Sequence, residues 1–176
     1  MKTKHILYVE DDANDLWLLE RAFQAEGLKE PLHAVPDGVE AIAWLAGEGD
    51  YRDRARFPLP QLVLLDIMLP KVDGLAVLRW ARANPAFNAL PIIMFSSSSQ
   101  DGDITESYRQ GANLFLVKPA AHDEFRHIAR FLMTWLRHSQ PPPAVQRLWR
   151  ALTLEDLKEN SRGSGGTRPG AARPPA

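Results

Sequence analysis

Five side chains that could act together on a phosphoryl group each lie at the end of a short apolar run. The runs are HILYV, QLVLL, PIIMF and NLFLV, and the side chains that close them are Glu10, Asp11, Asp66, Ser96 and Lys118. In a parallel sheet the carboxyl ends of all strands share one edge, so these residues are expected to converge on one pocket. Three carboxylates, a hydroxyl and an ammonium suit a divalent cation together with a phosphoryl group.

The carboxylates also indicate the kind of cation. Three carboxylates held together repel one another unless a cation lies among them. Oxygen ligands without a neighbouring His or Cys favour Mg²⁺ over zinc. The acidic pair after the first strand could instead cap the following helix and interact with its dipole. Asp66 does not fit that alternative, because it ends a wholly apolar central strand.

Ser96 and Lys118 each have an ordinary explanation as well. Ser96 opens the run SSSS, which is typical of a polar loop, although only the first hydroxyl directly follows the strand. Lys118 in isolation would be a surface lysine at a strand end. It precedes Pro119, and a cis bond there, which costs little, would turn the chain and aim the ammonium inward.

Strand-length apolar runs alternate five times with segments of helical period. Strands are predicted near residues 5–9, 31–35, 61–65, 91–95 and 113–117. Helices are predicted near residues 13–26, 38–47, 74–83, 101–110 and 121–138. This alternation indicates an α/β fold with right-handed crossovers and a doubly wound parallel sheet. QLVLL, PIIMF and NLFLV are typical of strands buried on both faces. PLHAVP, with a proline at each end, suits an edge strand, which predicts the strand order 2-1-3-4-5.

Composition excludes several function classes. The chain has 176 residues, of which 45% are apolar and 24% charged, with a net charge of −1 and no cysteine. This ordinary globular mixture gives no reason to expect binding to DNA. The lack of cysteine excludes disulfides, thiolate metal sites and thiol nucleophiles. No apolar run has the length of a membrane span and the N-terminus lacks a signal-peptide core, so a cytoplasmic protein without membrane contact is expected.

Three regions are expected along the chain. Residues 1–139 form the α/β domain, residues 140–160 contain a proline-rich break and a helical arm, and residues 161–176 form a disordered tail. The arm carries apolar side chains at helical spacing: Val145, Leu148, Trp149 and Leu152. This stripe either folds back on its own domain or crosses to a second subunit. We favour the crossing, which predicts a homodimer.

Arginines and tryptophans outside the pocket are interpreted as follows. The connector of residues 48–60 carries Arg52, Arg54 and Arg56, which form either a solvated loop or a partner contact. The amphipathic helices carry tryptophans that are predicted to lie in or near the core: Trp17, Trp44, Trp80 and Trp135.

Four strings, ILYVEDD, LVLLDIMLPKVDG, PIIMFSS and GANLFLVKP, occur in an order and at intervals that resemble the receiver domain of two-component response regulators. The resemblance covers residues 4–138 and implies a flavodoxin-like (βα)5 fold. It implies that Asp66 takes a phosphoryl group from a sensor histidine kinase. It also implies that Mg²⁺ is held by four residues: Glu10, Asp11, Asp66 and, through its backbone carbonyl, Met68.

The resemblance implies roles for the other pocket residues as well. Lys118 would pair with a phosphoryl oxygen, and Ser96 would hydrogen-bond to the phosphoryl group and move with it. Phe115, three residues before the lysine, would be the aromatic switch that fills the space left by Ser96. The long connector and the extended C-terminus also resemble single-domain regulators paired with bacterial phytochromes. Output is expected through partner binding, a dimer change, or action as a phosphate relay or sink.

Two other function classes share parts of this pattern. A Mg²⁺-dependent phosphatase with an aspartyl nucleophile carries a second acid two residues after the nucleophile, whereas this chain has Met68 there. A flavin-binding module of the same architecture needs a turn rich in Ser, Thr and Gly after the first strand to cradle a phosphate. This chain has acidic side chains in that turn, which would repel a phosphate. A non-enzymatic receiver is therefore the predicted function.

Overall fold

Five strands alternate with five α-helices in the computed structural model, which describes residues 4–29 and 31–138. The strands are β1 (Ile6–Val9), β2 (Leu32–Val35), β3 (Leu62–Leu65), β4 (Ile92–Ser96) and β5 (Leu114–Val117). The helices are α1 (Ala13–Ala25), α2 (Gly38–Ala46), α3 (Gly74–Ala83), α4 (Asp101–Arg109) and α5 (Phe125–His138). Two short 3-10 helices cover Gly49–Tyr51 and His122–Glu124. The predicted arm, with Val145, Leu148, Trp149 and Leu152, and the predicted tail lie outside the described residues.

The five strands are parallel and follow the order β2-β1-β3-β4-β5, which confirms the predicted fold class and strand order. Strand β1 lies between β2 and β3, with Ile6 opposite both Leu32 and Leu62. The chain moves to one side of β1 to form β2 and then to the other side to form β3. The winding therefore reverses between β1 and β3, the place where sheets of this kind hold ligands at their carboxyl edge.

The sheet separates two apolar layers because side chains alternate across each strand. On β1, Leu7 and Val9 face the layer beneath α2 and α3, whereas Ile6 and Tyr8 face the layer beneath α1 and α5. All residues of β1, β3 and β4 are buried. Each large apolar side chain in these strands contributes on the order of 1.5–3 kcal/mol to stability. Strands β1, β3 and β4, which carry or precede every predicted pocket residue except Lys118, thus form the centre of the molecule.

Strand β5 differs from the burial predicted for the run NLFLV. Its residues are only partly buried and Val117 is 44% exposed, because β5 forms one edge of the sheet. The backbone N–H of Phe115 in this strand donates to the hydroxyl of Tyr108 in α4 at 3.1 Å. Apolar composition alone did not distinguish this edge strand from the central strands.

The first three helices begin at aspartates that cap their backbone. Asp12, Asp37 and Asp73 accept hydrogen bonds from N–H groups in the first turns of α1, α2 and α3. Such a cap stabilises a helix by about 1 kcal/mol. Because each aspartate closes the turn that follows a strand, the caps also fix the loops at the carboxyl edge of the sheet. No helix among the described residues is long and apolar enough to cross a membrane.

The predicted core placement is wrong for one of the four tryptophans. Trp17 is 50% exposed and lies beneath the guanidinium of Arg21, whose central carbon is 5.1 Å from the ring centroid. It lies between Leu16, which packs against the layer beneath α1 and α5, and buried Leu18, but its own side chain faces solvent. Trp44 is buried, and Trp80 and Trp135 are partly buried against the two apolar layers.

The connector after α2 is anchored by one of its three arginines. The guanidinium of Arg54 donates to the carbonyl oxygens of Trp44 at 2.6 Å and Leu45 at 2.7 Å. These carbonyls lie in the last turn of α2, where the helix has no backbone donors of its own. Arg52 and Arg56 are exposed. Arg54 therefore caps the C-terminal end of α2 in its own domain. The two interpretations from sequence, a solvated loop and a partner contact, do not describe this arginine.

Candidate functional site

The structure brings the predicted pocket residues together at the carboxyl edge of the sheet. Glu10 and Asp11 follow β1, Asp66 follows β3, and Lys118 follows β5. One carboxylate oxygen from each of the three acids lies within 4.8 Å of the others. Ser96 is the last residue of β4 and is fully buried. The residues are far apart in the chain and meet because parallel strands end at one edge.

Lys118 is the centre of the pocket. Its Nζ lies 2.5 Å from Glu10 Oε2, 2.7 Å from Asp66 Oδ2 and 2.8 Å from Asp15 Oδ2. Burial acts to lower the pKa of Lys118, but the three carboxylates outweigh it and raise that pKa above its usual value. The described residues contain no cis peptide bond, so the ammonium reaches the pocket from a trans Lys118–Pro119 bond. Lys118 is therefore a permanent cation held among acids.

Glu10 is held by donors on both of its oxygens. Its Oε2 also accepts from the hydroxyl of Tyr8 at 2.7 Å, and its Oε1 accepts from the N–H of Asp12 at 3.0 Å. Burial raises the pKa of Glu10 even though the hydrogen bonds from Lys118 and Tyr8 act to lower it. Burial and the nearby Glu10 also raise the pKa of Tyr8, which keeps the hydroxyl a donor. The pocket thus holds this carboxylate in place at a cost in stability.

The backbone at Asp66 is packed closely against the start of α3. A Cβ atom built on Gly74 would lie 1.9 Å from the carbonyl oxygen of Asp66, so no side chain fits at that position. The N–H of Gly74 donates to Ile67 at 3.0 Å, and the N–H of Met68 donates to Asp66 Oδ1 at 3.3 Å. The side chain of Met68 points outward and the residue is 71% exposed. Gly74 therefore fixes the loop that carries the Asp66 carboxylate.

A second ion pair holds the same loop from the side of β2. Lys71 has a φ of 64° and places its Nζ 2.6 Å from Oδ2 of Asp37, which is buried. Burial opposes ionisation of Asp37, but Lys71 and the N–H of Glu40 outweigh it and lower its pKa. A Cβ on Gly38 would lie 2.2 Å from the carbonyl oxygen of Val72. The turns after β2 and β3 therefore support each other.

Ser96 and Phe115 occupy neighbouring strands beside the pocket. In the pairing of β4 with β5, Ser96 lies opposite Val117, and Phe115 lies two residues before Val117. The Oγ of Ser96 accepts only a long hydrogen bond, 3.4 Å, from the N–H of Ser98. Phe115 is partly buried against the layer beneath α2 and α3. The hydroxyl is therefore weakly held, and the aromatic side chain is only partly buried.

Sequence reasoning missed two side chains of the pocket, Asp15 and Tyr8. Asp15 lies in the first turn of α1, where an acid is favourable for the helix dipole, so its type needs no further explanation. Tyr8 lies within an apolar run and its ring packs in the core near Phe95. Nothing in the spacing of either residue indicated a contact with Lys118 or Glu10.

The donor set fits a hard divalent cation. The carboxylates of Glu10, Asp11 and Asp66 place oxygen atoms close together with no His or Cys among them. Asp15 adds a fourth carboxylate, and Lys118 is the cation that contacts this group. The excess negative charge favours binding of a divalent cation, and oxygen ligands favour Mg²⁺, Ca²⁺ or Mn²⁺.

Comparisons with known proteins agree with this geometry. Residues 6–130 match the family described as the response regulator receiver domain. Response regulator Rcp1 of Synechocystis sp. is 32% identical over 142 residues, which cover 80% of this chain and 95% of Rcp1. A Mn²⁺-bound form of response regulator Rcp1 has a TM-score of 0.71 at 30% identity, covering 79% of this chain and 99% of that one.

Two further similar structures are response regulators of phytochromes. The phosphorylated cyanobacterial phytochrome response regulator RcpA has a TM-score of 0.73 at 30% identity, covering 80% of this chain and 99% of that one. The bacteriophytochrome response regulator RtBRR has a TM-score of 0.64 at 34% identity, covering 91% and 96%. The parallel sheet, the acidic pocket and these matches together show that the chain belongs to the receiver domain family of two-component response regulators.

Proposed function

We propose that Asp66 is the phosphoryl acceptor of this receiver and that its phosphorylation changes the surface seen by partners. The observation that carries the proposal is the 2.7 Å contact of Lys118 Nζ with Asp66 Oδ2, in a pocket where two further carboxylates lie within 4.8 Å. An oxygen of Asp66 attacks the phosphorus of a phosphohistidine and forms a P–O bond. The P–N bond breaks, and its electron pair stays on the imidazole nitrogen, which takes up a proton.

Lys118 has a direct part in this transfer. An anionic carboxylate and an anionic donor repel each other, and the charge on the phosphoryl oxygens is spread further in the transition state. A fixed ammonium beside Asp66 offsets that charge without having to reorganise. The hydrogen bond from Lys118 to Oδ2 also leaves Oδ1 as the less strongly held oxygen, since its donor Met68 is 3.3 Å away. We assign the attack to Oδ1.

The divalent ion that completes the site is proposed to be Mg²⁺. Glu10, Asp11, Asp66 and the backbone carbonyl of Met68 are the residues that would hold it, and the ion would supply charge neutralisation to the phosphoryl oxygens. The oxygen-only donor set and the Mn²⁺-bound form of Rcp1 support this assignment. Calorimetric titration with MgCl₂ tests it. Binding to the wild type that persists unchanged in Asp11→Asn would contradict it.

The response to phosphorylation is proposed to pass through Ser96 and Phe115. The new phosphoryl oxygens draw in the Ser96 hydroxyl, which its 3.4 Å bond to the N–H of Ser98 does not hold firmly. Phe115 then moves into the space that the serine leaves. This is a two-state element biased by a local charge. Substituting Ser96 by Ala should leave labelling of Asp66 measurable but abolish the phosphorylation-dependent change in partner binding.

The phosphoryl donor is proposed to be a sensor histidine kinase, specifically a bacteriophytochrome. The likeness to RcpA and RtBRR supports the class of kinase. A phosphohistidine can reach Asp66 only if the kinase covers the mouth of the pocket. Exposed Trp17 lies on α1, the helix whose first turn carries Asp15 beside Lys118, and lines a groove of about 380 Å³ between α1 and the start of α5. We assign this groove to the kinase.

Substituting Trp17 by Ala separates docking from chemistry. Transfer from the kinase should slow by roughly ten-fold or more, because exposed aromatic anchors often dominate interface energies. Labelling by acetyl phosphate, a small donor that needs no docking surface, should not change. An equal slowing of phosphorylation by both donors would contradict docking of the kinase at this groove.

Beyond the pocket, we propose a cytoplasmic homodimer held by the C-terminal arm, with Val145, Leu148, Trp149 and Leu152 crossing to the second subunit. The helical spacing of these residues in the sequence supports the proposal. Light scattering on the full chain and on a chain lacking residues 141–176 tests it. A monomeric mass for both would end it.

Turnover of external phosphoesters is not part of the proposed function. The side chain two residues after Asp66 is Met68, which cannot protonate a leaving group. The deciding experiment for the whole proposal is phosphotransfer from candidate histidine kinases to the wild type and to Asp66→Asn. The wild type should accept label in the presence of Mg²⁺, and the variant should not. Normal labelling of the variant would place the acceptor elsewhere.

A further inference from the structure

Asp15 makes a contact with Lys118 that the chemistry of phosphoryl acceptance does not require. It lies in the first turn of α1 and places Oδ2 2.8 Å from the ammonium. Its side chain is 24% exposed, whereas those of Glu10 and Asp66 are 1% and 6% exposed. The three acids thus contact the same cation from very different surroundings.

The number of donors on Lys118 limits what the ammonium can bind. A lysine ammonium has three N–H donors and no acceptor. Three carboxylate oxygens lie within 2.8 Å of Nζ, one each from Glu10, Asp15 and Asp66. A phosphoryl oxygen arriving at Asp66 therefore finds no free donor on Lys118. One of the three contacts has to be released before the lysine can bind the phosphoryl group.

Glu10 and Asp66 are poor candidates for release. Glu10 is almost fully buried and cannot turn toward water, and the hydroxyl of Tyr8 at 2.7 Å and the N–H of Asp12 at 3.0 Å hold its two oxygens in place. Leaving a buried charge without its ion-pair partner is strongly unfavourable. Asp66 carries the phosphoryl group covalently after transfer, so the lysine stays beside it. Asp15 is the remaining acid, and it can turn toward water at little cost.

We propose that Asp15 is a positioning residue that holds Lys118 while Asp66 is unphosphorylated and releases the ammonium to a phosphoryl oxygen during transfer. This proposal rests on Asp66 being the phosphoryl acceptor. Asp15 and the phosphoryl group compete for the same N–H donor, so Asp15 slows phosphorylation.

Asp15→Asn and Asp12→Asn form a matched pair of variants. Both remove one negative charge from the same end of α1. Asp12 caps the helix by accepting from the N–H of Asn14 at 2.7 Å, a function that asparagine also performs. The Asp12 side chain is not one of the carboxylate partners of Lys118, which are Glu10, Asp15 and Asp66. A general effect of charge should therefore appear in both variants, and the effect of the contact only in Asp15→Asn.

The experiment is the initial rate of labelling by acetyl phosphate at saturating Mg²⁺. We expect a rise of roughly three- to ten-fold for Asp15→Asn, the range for a hydrogen bond of ordinary net strength, because Asp15 is partly exposed to water. We expect less than about a two-fold change for Asp12→Asn, the scale of a screened surface charge. Mg²⁺ affinity is measured separately by calorimetry, so that weaker metal binding is not mistaken for a slower reaction.

A wild-type rate in Asp15→Asn, or an equal rise in both variants, would overturn the proposal. A measurement on the unmodified protein provides a second test if Asp15→Asn does not fold. The ¹³C resonance of the Asp15 carboxylate should shift when the wild type is phosphorylated, and an unchanged resonance would also overturn the proposal. Normal labelling of Asp66→Asn would instead refute the identity of the acceptor, a result that is distinguishable from a wild-type rate in Asp15→Asn.

Discussion

The two ends of α1 each carry an acid that meets basic side chains from the last third of the chain. At the first turn, Asp15 contacts Lys118, which also contacts Glu10 and Asp66. At the C-terminal cap, Glu26 lies 2.8 Å from the Nε of Arg126 and 2.7 Å from the Nε of Arg130. The distances are alike, but the surroundings differ. Lys118 is 6% exposed, whereas the two arginines are 51% and 59% exposed.

The difference shows what burial does to an ion cluster. In the pocket, several carboxylates share one ammonium away from water, so every change of charge is felt strongly. At the other end of α1, two cations share one carboxylate at the surface, where water and salt screen the interaction. The first cluster is suited to chemistry that moves charge, and the second fastens α1 to α5.

Removing the cation from each cluster should give the largest contrast. Lys118→Met leaves buried carboxylates without their shared ammonium, which should cost about 3–5 kcal/mol of unfolding free energy in EDTA. Labelling of Asp66 should also fall at least about 100-fold, because the fixed charge is lost. Urea denaturation and phosphotransfer measure the two effects, and Mg²⁺ should restore part of the stability. Arg130→Met is the control, and an equal loss of stability there would contradict the comparison.

Neutralising an acid of the pocket should stabilise the protein. Because burial raises the pKa of Glu10, ionisation of this carboxyl is less favourable in the folded chain than in the unfolded one. The stability of the wild type should therefore fall as the pH rises through that raised pKa. Because the desolvation cost of the buried charge is removed, Glu10→Gln should be more stable than the wild type at neutral pH, with the gain shrinking as the pH is lowered. Thermal denaturation without divalent ions at several pH values checks the sign.

A partly buried pair of histidines should make the stability of the protein depend on pH in the opposite direction. The Nδ1 of His5 and the Nε2 of His33 are 3.0 Å apart, and burial lowers the pKa of both rings. Stability should be full above the ordinary histidine pKa of 6.5 and should fall as the pH drops below it. We expect a loss of less than about 1 kcal/mol between pH 7 and 5, and a smaller one in His33→Gln. Urea titration followed by fluorescence of Trp44, whose ring centroid is 5.0 Å from that of His33, measures it.

The surface cluster should give the smallest effect. Glu26→Gln is expected to change the melting temperature at pH 7 by no more than about 2 °C. Arg130 and Arg126 lower the pKa of Glu26 to about 2. The small contribution of Glu26 is present above its ordinary pKa and is lost as the pH falls toward 2. A large drop in the melting temperature of Glu26→Gln at neutral pH, or a drop that does not depend on salt, would contradict the difference between the two ends of α1.

Sequence alone predicted what depends on period and strand order, and missed what depends on the reach of single side chains. The five strands, their order and the meeting of Glu10, Asp66 and Lys118 follow from apolar runs that end in polar residues. Asp15 was missed because an acid in a first helical turn is ordinary by itself, and only the folded chain brings Lys118 to it. Trp17 was misplaced because helical period locates a buried stripe only approximately, and one residue at its border can project to either side.

The hydroxyl of Tyr108 also has a consequence for how copies of the protein behave at high concentration. An edge strand with bare amide groups can template the addition of a foreign strand and so seed aggregation. On β5 the amide of Phe115 is already capped by Tyr108, within a strand that is apolar throughout. The tyrosine thus protects the vulnerable border of the sheet, and its removal would make fibrous self-association easier without touching the phosphate chemistry.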